Sequence, residues 1–212
     1  MTMKSGFFDA RQTVVGTYDR EYDSDDFSRC FSGFMGNGVV GKNRELSESF
    51  EVVKGKLTGN TVRVKPGQAW IDGRWCQDDT GMEFTISLPA PTGKMRVDAI
   101  FIRCDYSERT FSLVKKSGTN FDTRDYPDPK DYPIPEPQDD EEAKEIVLAY
   151  VYVSDLSTTI DDAIIYDYRE FANFKLNDHA LDGLVFKKCT QAEYDSMSVH
   201  YSDTIYIIYE EE

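Results

Sequence analysis

No run among the 212 residues approaches the ~20 consecutive apolar residues that a membrane-spanning helix needs. The opening, MTMKSGFFDAR, lacks the uninterrupted apolar core of a secretory signal, so a soluble product made in the cytoplasm is expected. Cysteine is scarce: Cys30, Cys76, Cys104 and Cys189 are scattered, with no CxxC pair. A structural zinc site draws on closely spaced ligand pairs, so these four are expected to act as small, mostly buried apolar residues. There are two histidines, His179 and His200, and neither has metal-ligand spacing or a nucleophile-elbow motif beside it. Basic residues are also short, 24 against 39 acids for a net charge of −15, and without a basic stripe nucleic acid is not an expected partner. A phosphate loop of the GxxxxGK type is missing as well. The glycine-rich GFMGNGVVG follows a helical pattern instead of opening one, so it is expected to be a structural turn.

What is present is unevenly distributed. Residues Phe121 to Glu170 hold fifteen acids and four bases, a net of −11. Within them Asp125 to Glu142, DYPDPKDYPIPEPQDDEE, holds five of the eight prolines. Proline removes amide donors and pre-sets an extended backbone, which predicts a long surface loop over 125–142. A domain linker is the alternative, but EIVLAYVYV follows at once and reads as a strand of the preceding sheet.

The patterning predicts a mainly β fold, a β-sandwich or barrel-like sheet domain. To it are added one N-terminal amphipathic helix and a small C-terminal helix–strand module. Phe27, Phe31 and Phe34 recur at i, i+4 and i+7, predicting a helix over 24–35 whose aromatic stripe docks onto a core. Asp23 or Ser24 suits its cap, Asp25 and Asp26 its first turn, and Gly36 its end. Val62 and Val64 alternate with Arg63 and Lys65. QAWIDGRWCQ places Asp72-Gly73 between two arms, the strongest short-range signal for a tight hairpin. Trp70 and Trp75 are expected to fill the core. In MEFTISL, Met82, Phe84, Ile86 and Leu88 share one face. RVDAIFIRCDY and RTFSLVKKSG read as strands turning at Ser107-Glu108, the first apolar on both faces and so central. A short strand is expected over Ala163 to Tyr168. The expected domains are a β domain over 1–170 and an appendage over 171–212. In the appendage, Thr190 and Glu193 form a capping box and DTIYIIYEEE a last strand. One helix and one strand hold no core of their own, so this part must pack on the main domain, a neighbouring chain or a partner.

No catalytic constellation emerges. Asp19, Asp23, Asp25 and Asp26 could gather calcium, but they lack the loop glycine and distal glutamate of an EF-hand, and capping explains Asp23 to Asp26 more simply. Thirty-nine acids always permit a glycosidase-like pair, and nothing singles one out. Neither a metal nor a cofactor is expected. Among the aromatics, Tyr126 and Tyr132 lie in the proline-rich loop and are candidate saccharide contacts.

Three stretches resemble one family. KSGFFDA followed by DREYDSDDFSRCFSGFMGNGV is similar to the N-terminal signature of siphophage and prophage baseplate proteins. VRVKPGQAWIDGRW resembles that family's G-x-A-x-I-D-G-x-W hairpin, and RVDAIFIRCDYSERTFSLVKKSG its paired strands. FKKCTQAEYDSMSVHYSDTIYIIYE resembles a short module near the ends of phage tail and fibre proteins. The likeness covers roughly 4–170 and 184–209. It implies a non-enzymatic virion tail protein, an oligomeric adaptor (a trimer by analogy) joining the tail tip to host-adhesion parts. Phe7, Phe8, Phe27, Phe31 and Phe34 are its candidate assembly contacts. Its larger relatives carry a stalk or receptor-binding domain that this chain does not show. The alternative is a carbohydrate-binding module for host cell-wall saccharides.

Overall fold

The computed structural model describes residues 12–14, 17–18, 23–41, 47–173, 185–197, 200–201 and 204–209. The chain divides into two compact units, Met1–Asn173 and Phe174–Glu212. The fold is mainly β, with few helices and several antiparallel sheets.

The larger unit begins with the short pair β1 (Gln12–Val14) and β2 (Thr17–Tyr18), then helix α1 (Ser24–Phe34) and β3 (Gly38–Val39). β4 (Val52–Lys54), β5 (Thr61–Val64), β6 (Gly67–Ile71), β7 (Arg74–Asp78) and β8 (Met82–Thr85) follow. These make two three-stranded sheets, β3-β6-β7 and β4-β5-β8. β9 (Met95–Asp105), β10 (Thr110–Lys116), β11 (Ala143–Ser154) and β12 (Ile165–Asp167) form an antiparallel sheet in the order β10-β9-β11-β12. β9 and β11 pair directly although 37 residues separate them in the chain, so 125–142 is an excursion from one sheet, not a linker.

β9 has a core on each face. Ile100, Ile102 and Cys104 pack with Ala69, Val62 and Val151 in a cluster drawn from all three sheets. On the opposite face Val97, Ala99 and Phe101 pack with Phe121 and Tyr150. The proline-rich segment closes this second core, with the Tyr126 and Tyr132 rings 5.3 and 4.8 Å from that of Phe121. Prolines hold the backbone extended, the tyrosines point inward, and the acids between them face water. Two buried ion pairs sit in the same sheet. Arg96 grips Asp98 at 2.8 Å while donating to the Ser87 carbonyl, and Glu145 lies against Lys116 with Arg103 at 3.6 Å. Such pairs are tolerated inside because each charge keeps a partner.

The register of β11 on β9 shifts once, between Val147 and Ala149, making Leu148 a bulge. Ahead of it Ile146 faces the first core and Val147 the second; beyond it Ala149 and Val151 face the first, Tyr150 and Tyr152 the second. Of the shared face predicted for MEFTISL, Ile86 is fully buried and Phe84 and Leu88 pack against the same core, whereas Met82 at its start is exposed.

The smaller unit holds β13 (Val185–Thr190), α2 (Gln191–Ser196) and β14 (Thr204–Tyr209). Its strands pair in parallel, Val185 opposite Thr204 through Thr190 opposite Tyr209. The capping box is formed: Glu193 N donates to Thr190 Oγ1, and Thr190 N to Glu193 Oε2 at 2.8 Å. Tyr194 of α2 packs on Tyr206, with His200 beside both rings. Ile205, Ile207 and Tyr209 alternate along β14 and remain exposed.

Phe121 is the ring on which the proline-rich segment rests. Phe121→Ala is expected to cost about 3 kcal/mol by large-to-small truncation. Limited proteolysis should then cut within 125–137 before the rest of the unit, whereas equal resistance in both proteins would show that the segment is held by something else.

Candidate functional site

The surface built by the most specific sequence signals surrounds the β6–β7 hairpin. Asp72 and Gly73 both adopt left-handed backbone, with φ of 46° and 72°. Paired positive φ values give the turn whose twist matches antiparallel strands. Glycine is required at 73 for a second reason. A Cβ there would lie 1.9 Å from the Ser28 carbonyl oxygen and 2.7 Å from Ser32 N, so the hairpin tip sits directly against helix α1.

Helix α1 is fixed at its start by Asp23, whose carboxylate accepts from Asp25 N and Asp26 N, both at 2.9 Å. Asp23, Asp25 and Asp26 thus serve the helix start, and Asp19 lies outside the described residues. Asp25 also meets Arg74 of β7 at 2.7 Å. This pair is partly exposed and orients the helix more than it stabilises it. The residue that α1 buries is Ser28; Phe27, Phe31 and Phe34 keep 46%, 37% and 38% of their surface exposed. The expectation that this stripe docks onto a core is therefore corrected. Phe31 makes a ring contact inward, 5.6 Å from Trp70, with the Phe34 ring 5.4 Å from Phe31.

Trp70 and Trp75 also depart from expectation. They face one another across β6 and β7, on the side away from the core, where Trp75 is 60% exposed. Small and aliphatic residues, Ala69, Ile71 and Cys76, take the inward positions. Alternation fixes that the two tryptophans share a face without saying which face is inside.

Asp72 organises the polar side. Its carboxylate accepts from the Tyr106 hydroxyl at 2.7 Å and from Asn37 Nδ2 at 3.1 Å, and Asn37 Oδ1 accepts from Asp72 N at 2.8 Å. Lys144 Nζ stands 3.7 Å away, and the Arg74 guanidinium lies over the Tyr106 ring at 5.2 Å. Burial works to raise the Asp72 carboxyl, but hydrogen bonds from Tyr106 and Asn37 and the charges of Lys144 and Arg74 prevail and hold it below its ordinary value. The Tyr106 hydroxyl is pushed up, by burial first and then by the Asp72 carboxylate. Sequence reading found the turn but not these partners, which come from three other elements.

The remaining candidates lie elsewhere. Phe7, Phe8 and His179 are outside the described residues. Tyr126 and Tyr132 are half-buried in the second core, as described above. Burial pushes the thiols of Cys76 and Cys104 up to about 11, so neither is an activated nucleophile. Cys104 and Cys189 are buried, and Cys30 and Cys76 are partly so. An open depression of about 350 Å³ between Val40, Ser49, Gln68 and Asp78 contains acids that already have partners: Glu48 pairs with Lys65, and Asp78 accepts from Thr80 and Gly81. Among the described residues no three His, Cys, Asp or Glu side chains are placed to hold a metal ion, and no helix is long and apolar enough to cross a membrane. No family model, curated protein or solved structure matches the chain.

Gly73→Ala should cost at least about 2 kcal/mol, from left-handed backbone strain plus displacement of α1. Hydrogen exchange should speed up in amides 24–34, and protection unchanged there would mean that the turn does not hold the helix. Asp72→Asn keeps a residue that tolerates the turn and removes only charge and acceptor strength, at about 1–2 kcal/mol near neutrality. A carboxyl lowered in the folded state contributes stability above its unfolded pKa and loses it as pH falls through the folded one. The difference between wild type and Asp72→Asn, read from denaturant midpoints, should therefore be full above about pH 5 and shrink below about pH 4.

Proposed function

We propose that the chain is a non-enzymatic structural component of a bacteriophage or prophage tail, an oligomeric baseplate adaptor between the tail tip and host-adhesion parts. One observation carries this reading: stretches far apart in the sequence that bear the family resemblance meet at one place. Asn37 comes from the glycine-bounded turn after the DDF helix, Asp72 from the A-x-I-D-G-x-W hairpin and Tyr106 from the paired strands; the three bond side chain to side chain. A conjunction of signature residues in one polar knot suits a fold whose purpose is to present that corner.

The knot stands behind an aromatic surface formed by the α1 face and Trp75. Exposed aromatic rings held on rigid elements are the usual anchors of protein interfaces. The sandwich-like packing of the four-stranded sheet on the two smaller ones belongs to the same reading, as does a trimer, the state implied by the resemblance.

Gold-conjugated antibodies against the chain should label the tail tip of particles induced from the source strain. Intact unlabelled particles from a strain that makes the protein would mean that the fold serves another purpose. Sedimentation equilibrium should return three copies. Trp75→Ala leaves the fold intact, because the ring is mostly in water, yet should weaken association with tail partners at least tenfold, about 1.4 kcal/mol.

A further inference from the structure

A second aromatic surface lies on the opposite side of the four-stranded sheet, and it is made of tyrosine alone. Tyr150 and Tyr152 of β11 emerge on the face covered by the proline-rich segment, and Tyr166 of β12 pairs across from Tyr150. Tyr168 follows two residues later on the same side. The rings meet in two groups, joined by the strand pairing of Tyr150 with Tyr166. Tyr132 lies 6.2 Å from Tyr152, Tyr152 4.7 Å from Tyr166, and Tyr150 4.8 Å from Tyr168. Toward the loop the row is covered by Tyr132; toward β12 it is open, with Tyr166 51% and Tyr168 48% exposed.

The rings are tightly packed together. A phenol adds a polar tip to an apolar ring. Tyr166 and Tyr168, each about half exposed, carry theirs at the open end of the row, whereas Tyr150 is buried. Burial, followed by the neighbouring tyrosines, holds the Tyr150 and Tyr152 hydroxyls above their ordinary value.

From this arrangement we infer that Tyr152, Tyr166 and Tyr168 form a platform for a neutral polysaccharide, with the buried ring of Tyr150 supporting Tyr168. A pyranose presents an apolar C–H face and a rim of hydroxyls, the same two chemistries that each tyrosine offers, and stacking on rigid rings costs little side-chain entropy. The class of ligand is narrowed by charge. The platform belongs to the segment Phe121–Glu170 with its net −11, and Glu136 is near enough to act on Tyr150. That field repels phosphate- or uronate-bearing polymers. A peptide partner fits less well, since interface anchors combine aliphatic, aromatic and arginine side chains, and this row is tyrosine throughout. The platform is separate from the corner at Asp72, and its ligand is independent of whether the chain belongs to a virion.

The full chain would be applied to a printed array of neutral and uronic-acid glycans, and the neutral polysaccharide retained best would be titrated calorimetrically. Tyr166→Ala with Tyr168→Ala should weaken that binding at least tenfold with the thermal midpoint nearly unchanged, since both rings are about half in water. Tyr166→Phe with Tyr168→Phe should retain part of the affinity, because stacking survives while two hydroxyls are lost. Retention of uronic-acid glycans alone, of no glycan, or of a neutral glycan held equally by the double-alanine variant would overturn the inference.

Discussion

A strand apolar on both faces must have two cores, and most of the larger unit is arranged to meet that demand of β9. The first core is supplied in the ordinary way, by sheets facing one another. The second, among the described residues, is covered by a proline-rich segment of unusual composition in place of a sheet. The composition then makes physical sense. Prolines limit the entropy lost on ordering a stretch with little hydrogen bonding of its own, and Tyr126 and Tyr132 supply apolar area. The acids keep the outer side wet. The most polar part of the sequence is thus responsible for closing one of its two hydrophobic clusters.

At the other side of the unit, organisation is polar. Asp72 occupies a turn position where its backbone is strained for most residues, and its side chain collects donors from α1's trailing turn, from the end of β9 and from β11. A partly buried carboxylate is costly unless several donors converge on it, and here they do. The same knot brings Gly73 against Ser28 and so decides where the helix lies. The aromatic residues beyond it are consequently held on a rigid base, although few of them are themselves buried.

Much of this was legible from residues alone. The hairpin followed from Asp72-Gly73, the helix from Asp23 and the spacing of Phe27, Phe31 and Phe34, and the central strand from RVDAIFIRCDY with apolar residues on both parities. The orientation of faces was not. Large rings suggested a core at Trp70, Trp75 and α1, but the interior is filled by Ala69, Ile71 and Cys76, and the rings lie outside. β13 escaped notice because Lys187 and Lys188 interrupt its apolar pattern, and its parallel partner lies beyond a helix. The convergence on Asp72 depends on residues 35, 34 and 72 positions away, which no local pattern reveals. The tyrosine row was hidden for a similar reason: β12 is three residues long, and its rings acquire meaning only beside those of β11.

The extra residue at Leu148 bears on that row in a way that concerns reading frame more than stability. In a strand, odd and even positions are bound to opposite faces. A bulge exchanges their assignments for everything downstream. Tyr150 and Tyr152 reach the tyrosine face, and Ala149 and Val151 the interior, only because the parity changes one step earlier. Leu148 therefore functions as a phase shift in the code of the strand: upstream and downstream halves follow opposite rules. Two chains aligned residue for residue through this point, one with the bulge and one without, would share letters while presenting different surfaces.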